Sequence, residues 1–143
     1  MRTVVVLDQD QMGHGDRELG RRILATFLRK AIALEGLDAI VLYNSGVKLL
    51  ATDSPVLAEL TLLAERDVDL VPCGTCVQHF GLELAAGKTS DMDTILRELG
   101  AAEKVITPWR SLARFVDAHD QRCRALAAAG EVELVAQARV AHP

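Results

Sequence analysis

The chain has 143 residues, half of them apolar, and a formal net charge of −4 from 16 basic and 20 acidic side chains. This length suits one ordinary domain with a full hydrophobic core. Both signs of charge are spread along the sequence, so no basic stripe is present to neutralise phosphates, and aromatic residues at 3% leave few platforms for stacked bases. We therefore expect no nucleic acid among its partners.

The number and spacing of the cysteines and the length of the apolar runs indicate where in the cell the protein is expected. The three cysteines show no pattern of a secreted disulfide scaffold. The apolar runs are interrupted by charge and fall well below the roughly 18 residues that suggest a membrane span. The sequence opens on a strand-like segment rather than on a signal peptide. We expect a cytoplasmic protein with no membrane partner.

Short β-branched runs alternate with helical patterns along the first two thirds of the chain. These runs predict buried strands at Thr3–Leu7, Ala39–Tyr43, Val68–Val71 and Lys104–Thr107. Alternation of strands and helices favours right-handed crossovers and a parallel sheet. The sequence therefore predicts an α/β fold with three layers, a mostly parallel sheet between two layers of helices.

Capping signals predict three helices between these strands. The first follows Asp16 as its N-cap, and Gly36 marks its far end. The second begins at Ser54–Pro55, with the serine as cap and the proline at the first helical position. The third opens on a capping box at Ser90–Asp93, in which Asp91 is also interpreted as a helix cap, and closes near Gly100.

The composition changes after the fourth predicted strand. We interpret residues 1–110 as one α/β domain and residues 111–143 as a C-terminal extension. The extension is rich in Ala, Arg and Leu and predicts a helix over Ser111–Ala129. Such a helix can pack on its own domain or on a neighbouring subunit, and the sequence leaves both open.

Three loops follow the first three predicted strands and therefore share the carboxyl edge of the sheet, where α/β proteins place their chemistry. The third loop, Cys73-Gly74-Thr75-Cys76, brings two of the three cysteines together. A strand that ends in Cys-Gly and feeds a helix aims backbone N–H groups and the positive end of the helix dipole at the sulfur, which favours thiolate. We predict Cys73 and Cys76 as the reactive residues. Supporting positions are predicted at His14, Asn44, Lys48, Gly74 and Thr75.

No cofactor and no metal are predicted. In a dinucleotide-binding fingerprint the third glycine follows the second by three residues, whereas Gly20 follows Gly15 by five. The cysteine pair and His79 have the ligand types that zinc accepts, but a structural zinc site needs a fourth ligand, for which His14 is the best candidate. Cys123, in the predicted C-terminal helix, is interpreted as an incidental thiol.

Four motifs, in this order, resemble the DsrE/DsrF-like sulfur-relay superfamily. They are Met12-Gly13-His14-Gly15-Asp16 with Glu18-Leu19-Gly20, the turn Asn44-Ser45-Gly46-Val47-Lys48-Leu49, the cysteine motif with Phe80-Gly81-Leu82, and Gly87 with Met92. Within the superfamily the chain is most similar to the C-terminal domain of the YedF type, the sulfurtransferase-like selenium-metabolism proteins. The resemblance covers about residues 3 to 108.

The resemblance implies a DsrE-like fold with five strands and flavodoxin-like topology, and assembly as trimers or hexamers. It also implies a cysteine persulfide that passes between sulfur-donor and acceptor proteins. In sulfur-transferring relatives the carrier cysteine stands eight residues before a glycine that follows a short helix, as Cys73 stands before Gly81. By that correspondence Cys73 is the carrier and Cys76 is the additional thiol of the YedF type.

The resulting hypothesis is an intracellular, sulfurtransferase-like carrier of sulfur or selenium. Two functions of other classes stay open. A non-catalytic assembly or regulatory subunit of a sulfur-relay complex would have a buried and inert Cys73. A thiol–disulfide redox protein would instead cycle Cys73 and Cys76 through a disulfide of measurable potential.

Overall fold

The computed structural model describes residues 1–108, which contain a parallel sheet flanked by helices. Its strands are β1 (Thr3–Leu7), β2 (Leu37–Leu42), β3 (Asp69–Pro72) and β4 (Lys104–Ile106). The strand order is β3-β2-β1-β4. The α/β class and the parallel sheet are confirmed, but this part of the chain has four strands rather than five. It contains four β-branched runs, and each of them forms one strand.

The two central strands supply the core of the sheet. Every residue of β1 is buried, and so are the last four residues of β2. Val5 of β1 pairs with Ile40 on one side and with Ile106 on the other. A strand that is covered on both faces reads as a continuous apolar run, which is why β1 was predicted to the residue. The edge strand β4 is mostly exposed and short.

Helix α1 (Arg17–Ala31) follows the predicted cap. The carboxylate of Asp16 accepts the backbone N–H of Leu19 at 2.7 Å, and Leu24 and Leu28 are buried beneath the helix. The helix ends before Gly36, which has a φ of +67° and forms the turn into β2. The apolar pattern that extended the prediction towards Gly36 belongs partly to this connection.

Two other helix starts differ from the predicted ones. Helix α2 (Leu57–Ala64) begins after Pro55, and the Ser54 hydroxyl accepts the N–H of Val56 at 3.3 Å in the preceding turn. Helix α4 (Met92–Ala101) is capped by Asp91, which confirms the prediction for this aspartate, and its carboxylate accepts the N–H of Thr94 at 2.8 Å. Ser90 cannot serve as this cap because its backbone pairs with the end of β3. Gly100 lies inside α4 rather than after it.

The segments that follow β2 and β3 are short helices at the carboxyl edge of the sheet. A 3₁₀ helix, Asn44–Leu50, comes directly after β2, and helix α3, Gly74–Phe80, comes directly after β3. Gly81, with a φ of +60°, closes α3. Because β2 and β3 are parallel neighbours, the starts of the two short helices lie side by side. The predicted extension, residues 111–143 with the helix Ser111–Ala129, lies outside the described residues.

Candidate functional site

Cys73 sits at the junction of β3 and α3, held by backbone hydrogen bonds from both sides. Its N–H donates to the carbonyl of Leu42 at 2.8 Å. Ser90 donates its N–H to the Pro72 carbonyl, and its own carbonyl accepts the N–H of Gly74, both at 2.8 Å. Cys73 is 5% exposed. The sheet and the segment that carries Ser90 therefore enclose this residue and fix its position.

Cys76 lies in the first turn of α3 and is partly exposed. Neither it nor Cys73 is in a disulfide, and the two thiols are close enough for Cys73 to raise the pKa of Cys76. Residues three apart at the start of a helix lie on neighbouring positions of its surface, which explains this proximity. The structure thus pairs a buried thiol with one that reaches solvent.

The backbone of Asn44 contacts the outer thiol. Its N–H donates to Cys76 Sγ at 3.1 Å, a contact between residues 32 positions apart. Asn44 has a φ of +51°, a left-handed conformation that asparagine tolerates better than most residues. This turn comes immediately after β2 and directs the N–H towards the sulfur. Asn44 was predicted as a supporting residue, but this donor role was not.

The groups around Cys76 shift the pKa of its thiol in opposite directions. Burial raises the pKa of the Cys76 thiol, and this is the largest cause. The Asn44 N–H lowers the pKa because it stabilises the thiolate, whereas the hydrogen bond and the charge of Cys73 raise it. The net pKa of Cys76 lies above the ordinary value of 9.0. At neutral pH this residue is mainly a thiol.

Helix α3 supplies less stabilisation to the buried sulfur than the sequence predicted. Cys73 occupies the N-cap position, but its side chain accepts no capping hydrogen bond from the helix. The first N–H of the helix, that of Gly74, donates to Ser90 instead. The backbone donor on sulfur comes from the neighbouring loop, through Asn44, and it contacts Cys76.

The other predicted supporting residues lie at different distances from the pair. Lys48 places its Nζ 4.4 Å from the centre of the Phe80 ring, at the far end of α3, where it makes a cation–π contact. Thr75 is exposed between the cysteines, and His14 is exposed in the loop after β1. A Cβ at Gly74 would lie 3.2 Å from the Ser90 carbonyl oxygen, so the absence of a side chain permits this close approach.

Lys48 also lines a small polar cavity. It has a volume of about 290 Å³ and is lined by side chains of both charges, including Asp10, Arg17, Arg21 and Asp53. The carboxylate of Asp10 lies 2.7 Å from the guanidinium of Arg17 and 3.5 Å from that of Arg21. The acidic and basic groups that line the cavity therefore pair largely with one another.

Two further observations concern residues 1–108 alone. No three His, Cys, Asp or Glu side chains in this range are grouped so that they could hold a metal ion. In the same range no helix has both the length and the apolar character needed to cross a membrane.

Comparison with known proteins identifies the fold. No protein-family profile matches the chain, and no curated protein matches it. MTH1491 from Methanobacterium thermoautotrophicum, a protein of unknown function, is 24% identical with a TM-score of 0.57, over 75% of this chain and 98% of its own. The YchN protein of E. coli is 19% identical with a TM-score of 0.55, over 75% and 99%. BT1422 from Bacteroides thetaiotaomicron, also of unknown function, is 20% identical with a TM-score of 0.50, over 73% and 93%.

At these identities the similarity establishes the fold. YchN has a DsrE-like fold, so the described domain has a DsrE/YchN-like fold, as the resemblance of the sequence motifs implied.

Proposed function

We propose that this protein of DsrE/YchN-like fold is a carrier of sulfur or selenium in the manner of the YedF type, with Cys73 as the persulfide site and Cys76 in support. The observation that carries the proposal is a pair of neighbouring free thiols, three residues apart at the carboxyl edge of the sheet, with a backbone N–H on the outer sulfur. Carrier chemistry needs a thiolate that attacks the outer sulfur of a donor persulfide and a site that then retains that sulfur.

The sulfur transfer needs few other groups of the protein. The attacking thiolate forms a bond to the outer sulfur, the sulfur–sulfur bond of the donor breaks, and the donor thiolate leaves with the electron pair. No cofactor or metal takes part in this exchange. We propose donor and acceptor proteins as its partners, in the cytoplasm, and a homo-oligomer as the working form.

The test is intact mass spectrometry of the reduced protein after incubation with a persulfide donor. All variants carry Cys123→Ser, which removes the one thiol outside the candidate site. We expect a gain of about 32 Da, one sulfur atom, in the chain that keeps both site thiols, since thiolate attack transfers a single sulfur. Fragment spectra should place it on Cys73. No gain, or an equal gain in the double variant Cys73→Ser/Cys76→Ser, would contradict the proposal.

One observation favours a second candidate, a thiol–disulfide redox protein. Cys73 and Cys76 are free cysteines at the N-cap and in the first turn of one helix, an arrangement that favours disulfide exchange. Titration against glutathione redox buffers distinguishes the two functions. A disulfide with a defined potential and no retention of sulfur would support the redox function instead.

A further inference from the structure

The two thiols differ in their access to solvent, and this difference assigns them different tasks. Cys73 is 5% exposed, and Cys76 is partly exposed one turn further along the same helix. A persulfide bound to a donor protein must bring its outer sulfur to bonding distance of the attacking thiolate. A residue enclosed like Cys73 does not offer that approach.

We infer that donor sulfur is first accepted by Cys76 and then moves inward to Cys73, which stores it. This inference rests on the proposed carrier function and specifies the order of its steps. The transfer stays within one helical turn, because Cys73 is the N-cap of α3 and Cys76 lies in its first turn. The partly exposed thiol of Cys76 accepts sulfur from the donor, and the buried thiol of Cys73 retains it.

Each step is a thiol exchange with balanced atoms and electrons. In the first step the Cys76 thiolate bonds to the outer sulfur of the donor, and the donor thiolate leaves. In the second step the Cys73 thiolate bonds to the same outer sulfur, its bond to Cys76 Sγ breaks, and Cys76 leaves as a thiolate. In the first step Cys76 releases its proton to solvent, from which the donor thiolate takes one up, and in the second step Cys73 gives up its proton as it attacks and the leaving Cys76 thiolate takes one up. Neither step needs an external oxidant or reductant.

Asn44 suits the acceptor role of Cys76. Its N–H lies 3.1 Å from Cys76 Sγ, where it stabilises negative charge on this sulfur both before attack and when Cys76 leaves in the second step. The left-handed turn that directs the N–H lies at the start of the 3₁₀ helix after β2, outside α3. Asn44 is thus a positioning residue that acts through Cys76.

Burial of the stored sulfur has a consequence that can be measured. Cys73 is 5% exposed, so a persulfide there is shielded from solvent, whereas a persulfide on the partly exposed Cys76 reaches solvent. Small nucleophiles such as cyanide remove an exposed outer sulfur as thiocyanate. Stored sulfur should therefore resist cyanide for as long as it resides on Cys73.

The experiment compares single variants in the Cys123→Ser background, followed by intact mass over time. The donors are a cysteine desulfurase that carries a protein-bound persulfide and, separately, inorganic polysulfide. We expect Cys76→Ser to load at least tenfold more slowly from the desulfurase, because the enclosed Cys73 does not meet a protein-bound persulfide, and to load slowly from polysulfide as well, because polysulfide is larger than cyanide. We expect Cys73→Ser to load at a rate close to that of the parent but to lose its sulfur to cyanide at least tenfold faster. Cys76→Ala and Cys73→Ala repeat each test with a second side chain.

Gln78→Ala is the matched control, because Gln78 is exposed on the same helix and belongs to neither step. Its loading and its resistance to cyanide should equal those of the parent. Loading of Cys76→Ser from the desulfurase at the parent rate would overturn the order of steps and leave the carrier function intact. Equal cyanide resistance in Cys73→Ser would overturn the storage role. Failure of the parent itself to gain sulfur would refute the carrier function, and the order of steps with it.

Discussion

At the scale of single residues, the proton on Cys76 controls when this thiol can react. Burial, followed by the hydrogen bond and charge of Cys73, places its pKa above the ordinary 9.0, although the Asn44 N–H acts against them. Only thiolate is nucleophilic, so the reaction of Cys76 should accelerate as the pH rises towards this pKa. We expect alkylation of Cys76 by iodoacetamide, followed by mass, to titrate above the pH range of a free cysteine.

The variant Cys73→Ala gives this prediction its internal comparison. It removes two of the causes that raise the pKa of Cys76, the hydrogen bond and the charge of the neighbouring thiol, and leaves the burial and the Asn44 donor. The midpoint of the alkylation profile should therefore move to lower pH in Cys73→Ala. An unchanged or higher midpoint would show that the two thiols do not share their protons in solution.

The candidate site was only partly predictable at this scale. Cysteines at the end of a β-branched run and before a glycine indicated the edge of the sheet, and Cys73 and Cys76 do lie there. The donor on Cys76 comes from Asn44, 32 residues away, and sequence reasoning gives no distances across strands. An asparagine before Ser45-Gly46 was a usable signal for a left-handed turn, but not for its target. Cys73 also forms a backbone bridge with Ser90, which no motif connected with the thiols.

At the scale of elements, the 3₁₀ helix after β2 must approach the end of β1 closely to hold Asn44 in place. A Cβ at Gly46 would lie 1.9 Å from the carbonyl oxygen of Leu7, which is backbone and cannot rotate away. The same oxygen accepts the N–H of Tyr43 at 3.2 Å. Only glycine therefore fits at position 46 without displacement of the turn.

We predict that Gly46→Ala lowers the free energy of unfolding by more than about 2 kcal/mol, as overpacking against fixed backbone does. It should also weaken the Asn44 contact with Cys76 and shift the alkylation profile of Cys76 to higher pH. The control is Gly100→Ala in α4, where a Cβ would meet nothing within 4 Å. There alanine should stabilise the helix by about 0.5–1 kcal/mol. Urea denaturation measures both, and equal stability of the two variants would contradict the close approach at Gly46.

Helix boundaries show where local signals suffice and where they do not. Asp16 caps α1 as predicted, because an N-cap needs only the first turn of its own helix. Ser90 resembled a cap by the same local rule, yet Asp91 is the cap of α4. The bridge between Ser90 and Cys73 joins two distant segments and takes precedence over the local pattern. At Ser90 the failure follows from tertiary pairing, whereas at Ser54 it follows from the local turn before α2, in which the hydroxyl accepts the N–H of Val56.

At the scale of the whole molecule, the layers and the parallel sheet were predictable from alternation, while the number of strands was not. Buried strands such as β1 are recognised by apolar runs alone. The count of five came from the resemblance, and residues 1–108 contain four strands. The solved structures that share this fold cover about three quarters of the chain, so they give no guidance on the extension.

The described surface retains large apolar side chains that a second copy can cover. Met92 and Leu96 of α4 are 52% and 60% exposed, and residues four apart lie on the same face of a helix. The resemblance implies trimers or hexamers. We expect light scattering coupled to size exclusion to give a mass that is a multiple of the 15.5 kDa chain. Leu96→Glu should lower that mass, because a charge in an apolar contact is left without solvent.

Leu62→Glu is the matched control, since Leu62 is also exposed, at 47%, but lies on α2. It should leave the mass unchanged if α4 forms the contact.

The assembly also bears on the thiols, because exposure of Cys76 in one chain does not ensure exposure in an oligomer. Sulfur uptake from a desulfurase should therefore be compared between the parent and Leu96→Glu. A parent of 15.5 kDa would contradict assembly, and faster uptake by a dissociated Leu96→Glu would show that a neighbouring copy restricts access to Cys76.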